Sequence, residues 1–178
     1  MAILKRILNG HMNTFGRMGD LLMVGEALRE RGNYMVWKRV RSQEDVDCMN
    51  ETFGEFHDCC LKEVSFSTGG YVSEDLSMNV IGFPTARFLF QRQMRNPSVI
   101  EIEFRDIIQI NIKPVEKNQG VDIIGAHLYL QDDIFFWSEK DYEFHDGNKD
   151  TYTWIAARFT QWRERDDLLG SQMVYMPD

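Results

Sequence analysis

The sequence predicts an α+β domain that is mainly antiparallel β: a β-sandwich or open barrel with an N-terminal helix packed on it. Three observations predict it. From Val99 to Phe104 apolar and acidic residues alternate, with Ile100, Ile102 and Phe104 on one side and Glu101 and Glu103 on the other. That period of two marks a strand with one face in a core. Several such short segments are separated by turn residues, among them Gly69-Gly70, Asn96-Pro97 and Asp132-Asp133, as in antiparallel sheets. Ahead of them, Phe15 to Arg31 places Leu21, Val24 and Leu28 on one helical face, flanked by Met18 and Leu22.

In chain order, Asn13 or Thr14 can cap this helix and Gly32-Asn33 can end it, because both tolerate left-handed backbone. Gly16, Gly19 and Gly25 weaken the helix but let another backbone approach closely. Tyr34 to Val40 is aromatic and β-branched and predicts a strand, and the acidic run Ser42 to Phe53 a short helix or irregular segment. Lys62 to Thr68 predicts a strand with Val64 and Phe66 on one face, and Tyr71 to Val80 its antiparallel return after Gly69-Gly70. Arg87 to Gln93 follows, with Phe88 and Phe90 facing inward. After Val99 to Phe104, Ile108, Ile110 and Ile112 share a face until Pro114 stops the strand. Ile123 to Leu130 and Ile134 to Trp137 form a hairpin about Asp132-Asp133. Polar loops fill 115–121 and 139–150. Thr151 to Trp162 fits either periodicity, and strand is the preferred reading because Tyr152 and Trp154 alternate. The domain organisation read from this pattern is a helical segment over 1–45, a β domain over 46–165 and a tail over 166–178.

Composition narrows the class. With 43% hydrophobic and 12% aromatic residues in 178, the chain can bury a core and is not a disordered polymer. The net charge of −8 disfavours nucleic acid as a partner. The charge is unevenly placed, since residues 1–41 carry eight basic and three acidic side chains, net +5, which leaves −13 for the rest. Cys48, Cys59 and Cys60 are odd in number and two are adjacent, an arrangement poorly suited to disulfides. No apolar run approaches the ~20 residues of a membrane span. A cytoplasmic location, without membrane contact, is expected.

No constellation of residues reads as catalytic, and no cofactor motif is found. His57-Asp58-Cys59-Cys60 holds the ingredients of a nucleophile, but on a strand His57 and Cys60 point to opposite faces. His57 and Asp58 are expected to have a structural role at the turn before the strand. No pair of cysteines or histidines has zinc-ligand spacing. The run Asp141 to Asp150 departs from a calcium loop, with glycine at the seventh position and Tyr152 at the twelfth. Asp141, Glu143 and Asp146 are nonetheless candidates for an irregular cation or ligand site. Glu101, Glu103, Asp106 and Asp132 bring a carboxylate pair to mind, but alternating glutamates are expected to form a solvated face. Consecutive Phe135-Phe136-Trp137 makes both faces of one strand apolar, so one must be covered, by the N-terminal helix or by another protein. Phe135, Trp137 and Trp37 are the candidate interaction residues.

The stretch FHDCCLKEVSF, a glycine turn, FLFQRQ, IEIEFRDIIQINI and IIGAHLYLQDDIFFW resembles a group of small bacterial domains, some similar to immunity-type proteins of toxin systems. The resemblance covers about residues 53–138, and residues 1–45 fall outside it. It implies a non-enzymatic binding domain and carries no catalytic residues. The leading expectation is therefore a protein-interaction module of bacterial or phage origin whose acidic body suits a basic partner. The alternative is a small-molecule-binding, glycan-binding or hydrolytic β domain with a site near the 131–150 loops. A third reading is a homo-oligomer joined through the glycine-bearing helix.

Overall fold

The computed structural model describes residues 36–140 and 151–176, all within the unit Tyr34–Asp178. The helix read over Phe15–Arg31 and the loop 141–150 lie outside the described residues. Within them the chain forms β1 (Lys38–Val40), α1 (Gln43–Thr52), β2 (Cys59–Ser67), β3 (Tyr71–Val72), β4 (Met78–Asn79), β5 (Thr85–Arg92) and β6 (Val99–Asn111). These are followed by β7 (Asp122–Ile123), β8 (His127–Gln131), β9 (Ile134–Ser138) and β10 (Trp154–Glu164), with short 3-10 turns at Gly54–Phe56 and Asp166–Leu168.

The fold is α+β, with a helix beside one antiparallel sheet ordered β7-β2-β5-β6-β10-β9-β8, and β1 pairs with β10 beyond the end of β9. Of sandwich and open barrel, the sheet takes the second form, and one segment shows why. Ile123 pairs with Cys59 at one edge, and His127 pairs with Ser138 at the other. Across the sheet these edge strands are six strand spacings apart, about 29 Å if the sheet were flat. Four residues of chain reach at most about 14 Å. The sheet therefore curls until the segment 123–127 closes over the gap. The strand expected over Ile123–Leu130 is accordingly two strands, broken at Ile124-Gly125-Ala126.

Inside the curl lie Phe88, Phe90, Ile100, Ile102, Phe104, Phe135, Trp137 and Ile155, all buried. Their rings meet mostly edge to face, with Phe90 and Trp137 centroids 4.9 Å apart and Phe88 and Phe104 5.4 Å apart. Helix α1 adds Val46 and Met49, followed by Phe53 at its C-cap, a stripe at helical spacing. Ser42 caps it: its Oγ accepts from the Asp45 amide at 3.3 Å, and Asp45 Oδ2 accepts from the Ser42 amide at 3.2 Å. Asn50 ties the helix to β8, donating to the Leu128 carbonyl at 2.9 Å and accepting from its amide at 3.1 Å.

Three expectations change. The register between β6 and β10 shifts near Ile108, next to Asp106 with its positive φ of 53°. The extra residue interrupts the strict alternation of the strand there. Ile107 and Ile110 pack on the core, while Ile108 and Ile112 are exposed. A second shift, at Lys62 in β2, lets both Leu61 and Val64 face inward. Finally, the antiparallel partner of β2 is β5, and Tyr71–Val80 folds back on itself as the hairpin β3–β4.

Candidate functional site

The face of the sheet opposite the core carries two rows of charge. One row runs Glu63–Leu89–Glu101–Arg163 across β2, β5, β6 and β10; the next runs Ser65–Arg87–Glu103–Gln161–Arg39 and ends on β1. The expected solvated glutamate face is corrected here. Glu63, Glu101 and Glu103 are only 6%, 1% and 1% exposed, because long cationic side chains from neighbouring strands and the chain's C-terminal segment lie over them. Glu103 accepts from Arg87 Nε at 2.8 Å, Gln161 Nε2 at 2.8 Å and Arg105 Nε at 2.5 Å. Burial alone would raise its carboxyl pKa; these donors and the Arg105 charge outweigh burial and hold it below the usual range. Glu101 accepts from Arg163 Nε at 2.7 Å and from the Tyr175 hydroxyl at 2.6 Å. Trp37 lies beneath the guanidinium of Arg163, 4.3 Å from its ring centroid.

Residues 172–175 strap one half of this face. The amides of Val174 and Tyr175 each donate to the Glu63 carboxylate at 2.9 Å, and Lys62 Nζ donates to the Gln172 carbonyl. Burial raises the Glu63 carboxyl, but the two amides and Lys62 bring it below its ordinary value. Burial and the bond to Glu101 push the Tyr175 phenol up.

The other half of the face carries two adjoining grooves. One, of about 520 Å³, is lined by Arg39, Arg41, Arg105, Phe159 and Gln161. The second, of about 560 Å³, is lined by Phe83, Thr85, Arg87, Arg105, Asp106 and Phe159. Glu103 forms part of both. Phe159 and Phe83 are 62% and 73% exposed, so the walls are aromatic and the charge is cationic.

Phe83 belongs to a protruding hairpin. Between Gly69 and Phe83 no residue is buried, yet Tyr71, Val72, Leu76, Met78, Val80 and Ile81 are all more than half exposed. Its neck is pinched at Gly69 and Gly82, where a Cβ on Gly82 would overlap the Gly69 backbone. Its tip is fixed by Ser73 and Ser77, whose backbones bond at 2.9 Å, and by Asp75, which accepts from the Ser77 hydroxyl at 2.7 Å.

The residues singled out on sequence are scattered. Phe135 and Trp137 face the core, 5% and 0% exposed, and are not open to a partner; their shared parity on β9 turns both inward. Phe136, on the opposite face, is buried beside Trp154 and Ala156. Trp37 is half-buried against Arg163. His57 and Asp58 are exposed, their side chains 3.1 Å apart, and the His57 amide closes the preceding turn on the Gly54 carbonyl at 2.9 Å. Cys59 is buried, and burial pushes its thiol up to about 12. Asp141, Glu143 and Asp146 lie outside the described residues. Among the described residues no cluster of three or more His, Cys, Asp or Glu side chains is placed to hold a metal ion.

Sequence reasoning missed the hairpin, Arg39, Arg41, Arg87, Arg105 and Phe159. A signal for the hairpin was present: large apolar residues without either periodicity, set among Gly, Ser, Asp and Asn. No family model matches the chain, and comparison with curated proteins and with solved structures finds no match.

Proposed function

We propose that this chain is a non-enzymatic protein-interaction module that docks its partner through the hairpin Gly69–Phe83. A bacterial or phage origin, a cytoplasmic location and an immunity-like role, all expected from the sequence, belong to the same reading. One observation carries it: seven large apolar side chains stand exposed on a segment that contributes nothing to the core. Folding does not need them there, and contiguous exposed apolar surface marks a docking site. Among the described residues no helix is long and apolar enough to cross a membrane.

The test compares the wild type with Leu76→Ser/Met78→Ser/Ile81→Ser, using quantitative mass spectrometry of proteins retained from a lysate of the encoding organism. The variant keeps its Tm, since surface substitutions change stability by about 0.5 kcal/mol or less each, and loses a specific partner at least tenfold. A dimer that the same variant abolishes, seen by sedimentation, makes the partner a second copy. Identical retention and a monomer in both proteins overturn the reading.

A further inference from the structure

We infer that the two adjoining grooves beside the hairpin bind an extended acidic peptide segment, with carboxylates on the arginines and an apolar side chain between Phe83 and Phe159. The inference rests on the protein-binding reading for the class of occupant; the site itself rests on its own geometry.

The charge accounting favours an anion. The lining holds four guanidiniums, on Arg39, Arg41, Arg87 and Arg105, against the carboxylates of Glu103 and Asp106. Both carboxylates are already engaged: Glu103 by Arg87 and Arg105, and Asp106 by Arg158 at 3.4 Å. Asp45, beside Arg41, is taken up by the amides of Arg41 and Ser42 at 2.9 and 3.2 Å. Arg39 and Arg41 are exposed, and among the described residues neither guanidinium is in an ion pair. Arg87 and Arg105 are pinned from below by Glu103 while their side chains remain 46% and 56% exposed. A guanidinium has five N–H donors, so both keep donors to offer outward from an already fixed position. Such pre-organisation lowers the cost of binding a carboxylate.

The shape favours an extended chain. Arg39, Gln161, Glu103 and Arg87 are directly registered neighbours on four adjacent strands. The row spans about 14 Å, the reach of about four extended residues. Phe159 and Arg105 face each other in the next row, which sets an aromatic wall beside the cationic row. The basic and aromatic lining alone would also suit single-stranded nucleic acid. The adjoining apolar hairpin favours protein.

The experiment is fluorescence anisotropy on the full chain. The probes are a labelled eight-residue peptide of alternating glutamate and leucine, its lysine-for-glutamate counterpart, and a dT12 oligonucleotide. The acidic peptide is expected to bind at least tenfold more tightly than either, weakening as salt rises. Arg39→Gln/Arg41→Gln should cost it at least tenfold and Phe159→Ser at least threefold, while Arg95→Gln, on a distant turn, changes nothing. Circular dichroism confirms that each variant is folded. Absence of a preference for the acidic peptide, equal binding by the groove variants, or tighter binding of dT12 through the same arginines each overturns the inference. The hairpin triple variant separates the two readings: it loses the partner protein but still binds the acidic peptide.

Discussion

Replacing Glu101 by glutamine keeps the shape of the side chain and deletes its charge, which makes it a direct probe of the buried ladder. The carboxylate is 1% exposed. It faces Arg163, whose side chain is 15% exposed and whose ion-pair partner is Glu101, and Arg165, which also has Asp167 at 2.9 Å. Breaking a buried pair by removing one partner costs about 3–5 kcal/mol, because the other charge is left uncompensated. Arg163 keeps some solvent contact and Arg165 keeps Asp167, so the lower end applies, about 3 kcal/mol. In urea, with a slope of about 1–3 kcal/mol/M, the midpoint falls by about 1–3 M. In a thermal scan Tm falls by about 6–12 °C. Buried Trp137, Trp154 and Trp162 supply the fluorescence signal. The double variant Glu101→Leu/Arg163→Met removes both charges and fills the space with apolar atoms, so it is expected to lose less than the single variant. A loss below about 1 kcal/mol for Glu101→Gln, or a double variant as damaged as the sum of its parts, would refute the view that this face is a desolvated, mutually dependent network.

Three further outcomes are expected. Glu63 and Glu103 have carboxyls held below their ordinary value in the folded chain, so the stability they contribute is complete above the unfolded value of about 4.3 and is lost as pH falls below it; urea midpoints should hold steady from neutral pH to about pH 5 and drop below about pH 4, less steeply in Glu103→Gln. With its thiol at about 12, Cys59 is about one part in ten thousand thiolate at pH 8, so iodoacetamide followed by peptide mapping should label exposed Cys48 in the folded protein and Cys59 only after denaturation. Asp133 sits at φ 61° in the β8–β9 turn, a backbone that glycine adopts without strain, and Asp133→Gly should raise stability by about 0.5 kcal/mol in the same urea titration.

What was legible in the sequence was local. The alternation of Ile100 to Phe104 and the paired turn residues Asp132 and Asp133 depend on neighbours within a few positions, and strands and hairpin appear there. The fate of Glu101 and Glu103 was not legible. Alternation says that they leave the core face; whether that face meets water depends on Arg87, Gln161, Arg163 and Tyr175, 16 to 74 residues away in sequence. Ile108, Ile110 and Ile112 do not share a face, because the extra residue at Ile108 breaks the alternation and Ile112 lies past the end of the strand at Asn111, and nothing in an apolar run announces the extra residue. Phe135 and Trp137 were rightly read as needing cover, but a curled sheet provides it from within. The groove is not legible because Arg39, Arg87 and Arg105 lie on three different strands, with Arg41 just past the first, and they meet only through pairing.

The short bridge from Ile123 to His127 makes the two margins of the sheet answer to each other. Since one segment is hydrogen-bonded to both β2 and β9, neither margin can fray far without pulling on the other. Amide protons around Cys59 and around Ser138, far apart along the sheet, should therefore exchange with solvent at matched rates, as one opening unit. Lengthening the bridge with a few glycines would uncouple them, leaving two margins that breathe independently around an unchanged interior.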